Sequence, residues 1–198
     1  MKILLMFVVL IVSAAFVAAE ATPEGTTPIV PGENGHKFAG HSKCRTCHKK
    51  ATIGNQYGAW QDSRHARAFE TLASEQASKW GAERGVENPQ TDERCLKCHV
   101  TAFGIADSLR AKTFARTVND GVQCESCHGA GYDYKKKKVM ADHEAAVEMG
   151  LLDPTEQVCR VCHNSESPAW DETTVFDYEK AIELIAHPIP EGYTTTEQ

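Results

Sequence analysis

Four times in this chain two cysteines stand three positions apart with a histidine directly after the second: Cys44-Arg-Thr-Cys47-His48, Cys95-Leu-Lys-Cys98-His99, Cys124-Glu-Ser-Cys127-His128 and Cys159-Arg-Val-Cys162-His163. This is the attachment signature for c-type haem. Two thiols at that spacing add across the two vinyl groups of one porphyrin, and the adjoining imidazole reaches the iron as proximal ligand. All eight cysteines are used in this way. A lone C-x-x-C would equally suit a redox dithiol, half a zinc site or a disulfide. None of those needs a histidine after every pair. With 9 histidines in 198 residues, chance would fill all four positions about four times in a million. The cofactors implied are four covalently bound c-type haems with His48, His99, His128 and His163 as proximal ligands.

Five further histidines remain for the distal sides: His36, His41, His65, His143 and His187. Four irons need at most four, so complete bis-histidine coordination is within supply. His65 follows a helix N-cap at Asp62 or Ser63 and shares the apolar face of Ala66, Phe69, Leu72 and Ala73. His143 lies four after Val139 and four before Val147, which turns its face inward. His187 ends a helix expected from about Thr173 to Ala186, where Pro188 restricts it to an extended conformation. His36 and His41 precede the first motif in a glycine-rich stretch; they read as solvent-facing or as ligands to a different haem or another molecule. His41 is too near Cys44 to cross the plane of that haem. Met140 and Met149 read as packing. Bis-histidine iron leaves no vacancy for a substrate and suits electron transfer, whereas an iron without a distal ligand is open to small molecules.

The elements that must hold these groups are short. Met1-Lys2, an apolar run from Ile3 to Val12 and small residues up to Ala19 form a secretory signal over residues 1–19. Residues 20–35 are a flexible leader rich in proline, glycine and threonine, residues 36–190 the haem domain, and 191–198 a flexible tail. Without the signal each haem has about 45 residues, too few for a separate core. The expected fold is therefore mainly α, a small multihaem cytochrome c with short helices wrapped around a packed tetrahaem core. Ser74 to Glu87 lack periodicity, and Gly85, Asn88 and Pro89 read as a loop. Val100 to Gln123 contain no histidine and suit neither helix nor strand. Gly121, Gly129 and Gly131 permit tight turns or close backbone approach. A helical repeat from Val139 to Val147 stops at Gly150. Tyr57 and Trp60 are expected to pack on porphyrin.

The formal charge of -6 excludes nucleic acid as the natural partner and favours redox proteins with patches of opposite sign. Lys135 to Lys138 are the one dense basic run after the signal, either a solvated helix start or a docking patch. Membrane contact would require the N-terminal segment to remain uncleaved. Export and haem attachment agree with a periplasmic or extracellular location.

The flanking residues carry a resemblance. Trp60-x-x-Ser63-x-His65-x-x-Ala68 after the first motif, Gly121-Val-x-Cys-Glu-x-Cys-His128-Gly129-x-Gly131 around the third and His187-Pro188 after the fourth resemble the tetrahaem cytochrome c-554 family, over about residues 38–190. That resemblance implies a helical wrapper round haems in parallel-stacked and perpendicular pairs. It also implies crossed distal ligation, with His143 on the first haem, His65 on the third and His187 on the fourth. The second haem would lack a distal side chain, matching the absence of histidine between His99 and His128. A family member accepts electrons from hydroxylamine oxidoreductase. His36 and His41 depart from the pattern and put the open second haem in question.

The function expected is single-electron transfer by an exported carrier, not catalysis. Two alternatives stand beside it. One is a subunit of an extracellular cytochrome filament, with His36 or His41 donated to a neighbour. The other is a small-molecule reductase, acting on nitric oxide at a five-coordinate second haem.

Overall fold

Glycines, prolines and capping side chains interrupt the apolar pattern so often that only short helices can form. In the computed structural model, which describes residues 35–171 and 173–193, eleven α-helices follow one another among the described residues: α1 His41–His48, α2 Gln56–Asp62, α3 Ala68–Thr71, α4 Glu75–Ala82, α5 Glu93–His99, α6 Lys112–Ala115, α7 Glu125–His128, α8 Lys137–Met140, α9 His143–Glu148, α10 Glu156–Arg160 and α11 Tyr178–Ile185. The only extended pairing among these residues is an isolated bridge between Phe38 and Arg110. The mainly α expectation holds. The signal, the leader up to residue 34 and the tail from residue 194 lie outside the described residues. No helix of the described residues is long and apolar enough to cross a membrane.

Four elements depart from the periodicity. His65 lies in a turn ahead of α3, not on a helix, because its carbonyl accepts from both Ala68 N (3.1 Å) and Val122 N (2.9 Å). That second bond ties it to the chain entering the third motif. The Ser74–Glu87 stretch, which lacks periodicity, holds α4; the Ser74 hydroxyl accepts from Ala77 N at 3.1 Å and caps it. The single repeat across Val139–Val147 is two helices. Asp142 breaks it by capping α9 through Ala145 N (3.1 Å), and Gly150 at φ 98° ends it. Finally, α11 starts at Tyr178, five residues later than expected, where Asp177 caps Lys180 N.

The protein core is small. Phe38, Phe114 and Ala130 form it, with Ala102, Ile105 and Val118 packed against it, and the two phenylalanine rings lie 5.4 Å apart. At its edge sits Glu125, fully buried. Its carboxylate accepts from Ala39 N (2.7 Å), Gly40 N (2.7 Å) and Gly131 N (2.6 Å). Burial raises its pKa, while the three backbone donors pull it back down. One side chain thus pins the chain before α1 to the loop after α7. Glu125→Ala leaves three buried donors without partners, at about 1–3 kcal/mol each. Thermal denaturation should show a loss of more than about 3 kcal/mol; a loss under about 1 kcal/mol would contradict this role.

Candidate haem-binding site

A helical turn brings residues three apart onto one face, which is how each cysteine pair is presented. The first motif closes α1, the second closes α5, and the third forms α7 with Cys124 as its cap. The fourth begins within α10 and runs past its end to His163. All eight thiols are free of disulfides. The motifs meet in pairs: the Cys44 and Cys124 thiols share a hydrogen bond, as do those of Cys98 and Cys162. The first motif therefore abuts the third and the second abuts the fourth. An ion pair from Lys97 to Glu166 reinforces the latter contact.

The thiol environments follow from these contacts. The bond from Cys162 lowers Cys98 to about 7, and the same bond, with burial, drives Cys162 strongly upward. Cys44 is raised and Cys124 lowered for the same reason. Burial pushes Cys127 up to about 11.

Two pairs of histidine rings stand close to one another with their planes crossed. His65 and His163 have centroids 6.1 Å apart with planes crossing at 74°. His128 and His187 are 6.0 Å apart and cross at 69°. Two imidazoles on opposite sides of one metal, each with a metal–nitrogen bond of about 2.0 Å, put their centroids about 6.3 Å apart. The observed separations fit one iron between each pair. Burial lowers the pKa of His65, His128 and His163, with the neighbouring ring pushing His65 and His128 the same way. Neutral imidazole is the form that binds metal.

The pairing is exchanged relative to what the family resemblance implies. His65 faces the histidine of the fourth motif and His187 that of the third. The cause is the Val122–His65 bond, which carries the His65 turn past the third motif, and the Pro188 segment, which returns beside α7.

His48, His99 and His187 each have Nδ1 engaged. His48 Nδ1 is 3.3 Å from Gln56 Oε1, His99 Nδ1 donates to Ala68 O at 2.6 Å and His187 Nδ1 donates to Ile185 O at 2.7 Å. Such bonds fix the tautomer and leave Nε2 for a metal. His143 differs. Its ring is 63% exposed, not inward as the helical phase implied, and its Nε2 lies against Asp153 at 3.1 Å. Among the described residues no second histidine ring packs on His48 or His99.

His41, read from sequence as solvent-facing or as a ligand elsewhere, is buried. Its Nε2 contacts Asp120 at 2.8 Å and its Nδ1 contacts the Tyr57 hydroxyl at 3.1 Å. Tyr57 and Trp60 pack on this ring, with centroids 5.8 and 4.7 Å away, and Trp60 Nε1 donates to Val122 O at 2.8 Å. His36 reaches Asp133 at 3.1 Å.

Sequence reasoning missed Phe176, whose ring stacks on His163 at 5.0 Å and 18°. It follows Val175 and precedes Asp177, the cap of α11, and carries no periodic signal. It also missed Glu125, which occupies an unconstrained position inside a haem motif.

Zinc would require ligands gathered in threes and fours. Among the described residues no group of three or more His, Cys, Asp or Glu is placed to hold a metal ion, and four of the 9 histidines stand instead in two opposed pairs. Val161, between the cysteines of the fourth motif, is 47% exposed, an apolar surface of the kind a porphyrin covers.

Comparison with known proteins points to c-type cytochromes. Residues 43–129, which hold the first three motifs, match the family described as cytochrome c554 and c-prime. Cytochrome c-554 of Nitrosomonas europaea is 28% identical over 148 residues, covering 67% of this chain. The chain spans 60% of that relative's length. No solved structure matches.

Proposed function

We propose that this chain is a cytochrome of the c-554 family, an exported tetrahaem c-type cytochrome that passes single electrons between redox proteins. The observation that carries the reading is the pair of imidazole separations, 6.1 and 6.0 Å, each the span of one six-coordinate iron. Haem supplies reversible one-electron chemistry at iron. What the chain supplies is spacing, ligation and burial. Cys44, Cys47, Cys95, Cys98, Cys124, Cys127, Cys159 and Cys162 tether the four porphyrins. His163 with His65 and His128 with His187 would bracket two irons, and His143, as the family resemblance implies, would complete the first by leaving Asp153. His99 has its Nδ1 held by Ala68, and no second histidine ring packs on it among the described residues, which would leave the second iron with an open face.

The thiol contacts support two close haem pairs, first with third and second with fourth, so an electron entering either pair has a short path within it. Residues 1–19 serve as a signal and deliver the chain to the periplasm or the cell exterior. Redox proteins are its partners, with Lys135–Lys138 within the docking surface.

A titration of vacant irons tests this ligand set. After dithionite reduction, one iron per molecule should bind carbon monoxide, and the ferric protein should show one high-spin component. No binding at all, or binding at two irons or more, would overturn it.

A further inference from the structure

Two stretches far apart in sequence share an unusual charge. Residues 35–61 contain Lys37, Lys43, Arg45, Lys49 and Lys50 and no carboxylate, and residues 130–141 contain Lys135–Lys138 with Asp133 as their one acid, in a chain of net charge -6. The fold puts them side by side. Tyr132 N donates to Lys37 O at 2.9 Å, and the Glu125 carboxylate clamps Ala39 and Gly40 to Gly131. Burial lowers the Lys135 pKa, and the nearby charges of Lys136 and Lys43 lower it further although Asp133 opposes them, so the two stretches share one electrostatic neighbourhood. Asp133 itself is turned to His36 at 3.1 Å. Lys37, Lys43, Arg45, Lys49, Lys50 and Lys136 are exposed.

We infer that these stretches form one composite cationic face, which docks the acidic surface of a redox protein over the first and third motifs. This rests on the electron-carrier reading and specifies where the partner sits. The face surrounds the motifs whose thiols Cys44 and Cys124 touch, so a partner held there lies next to that haem pair. A basic patch on an otherwise acidic chain orients it in the partner's field and accelerates encounter at low salt. An anionic membrane would also attract lysines, but surface-binding segments add apolar side chains that insert. The exposed large apolar ring on the second stretch is Tyr132, 41% exposed, and the Lys135 ammonium covers it at 3.6 Å from the ring centroid.

The test uses the haem-loaded protein and poly-L-glutamate, an acidic polymer with no redox group, with binding measured by calorimetry. Binding should be present at about 20 mM salt and fall at least about tenfold by about 200 mM. Lys43→Glu with Lys136→Glu should weaken it at least about tenfold at low salt. The neutral pair Lys43→Gln with Lys136→Gln should give a smaller loss, and Lys79→Glu with Lys180→Glu, on α4 and α11, should change it less than about twofold. Unchanged haem absorption in each variant establishes that the fold is intact. Equal losses from the two reversed pairs would overturn the proposal. So would binding to phosphatidylglycerol vesicles with none to poly-L-glutamate. A haem count other than four would refute the carrier reading without altering what this binding measurement reports.

Discussion

Replacing His65 by alanine is expected to double the irons that bind carbon monoxide, from one to two per molecule, and to add a second high-spin ferric component. The reason is the 6.1 Å approach of His65 to His163, which allows one iron between them and offers no substitute ligand. The effect should belong to the haem held by Cys159 and Cys162. In a Cys159→Ala, Cys162→Ala variant, which lacks that haem, His65→Ala should therefore add no further vacant iron. If the added vacancy persisted there, and disappeared when Cys124 and Cys127 were replaced, the exchanged pairing would be refuted. His187→Ala should behave in the mirrored way, opening the haem of the third motif.

Gly121→Val should be the most damaging change at a residue that touches no haem ligand through its side chain. Gly121 has φ 75°, a conformation that costs a side-chain-bearing residue about 1–2 kcal/mol. A Cβ built there would also collide with the His65 and Ala66 carbonyl oxygens. Strain and collision together should cost more than about 2 kcal/mol and push the His65 turn away from His163. Thermal denaturation and carbon monoxide binding read the two consequences separately. A stable variant that keeps a single vacant iron would show that the close approach does not position His65. Gly129, also at φ 75°, makes an analogous approach to the Gly150 carbonyl, which holds the third motif against the end of α9.

The haem motifs were legible because their chemistry is local: two thiols and an imidazole within five residues. The mainly α character was legible for a related reason, since chain length per motif leaves room only for short helices. Pairing was not legible. Which imidazole faces which depends on how His65 is fastened by Val122 and how Pro188 returns the chain to α7, and neither contact has a periodic signature. Two of the three histidines the family resemblance names, His65 and His187, stand against other motif histidines than the ones it implies. His65 looked helical because Phe69 and Leu72 share its phase, yet its carbonyl, bonded to Ala68 N and across to Val122 N, closes a turn instead. The helix α4 escaped notice because a cap at Ser74, rather than an apolar stripe, defines it. His143 falls on the inward phase of a repeat that Asp142 divides, so the phase no longer fixes its direction.

His41 shows how far the surroundings of a histidine depend on the fold. A histidine among glycines next to a haem motif invites assignment as a spare ligand, but its partners Asp120 and Tyr57 are 79 and 16 residues away and only the fold reveals them. Glu125 is the same case in stronger form. A carboxylate inside a C-x-x-C-H motif looks solvated, and its three backbone donors come from two other segments.

The measurement that bears most directly on all of this is the intact mass of the mature protein once its N-terminus has been determined. Four porphyrins added through eight thioethers should raise the polypeptide mass by four increments of about 616 Da. Three increments or fewer, or a mass accounted for by the polypeptide alone, would contradict the assignment of every motif to a haem.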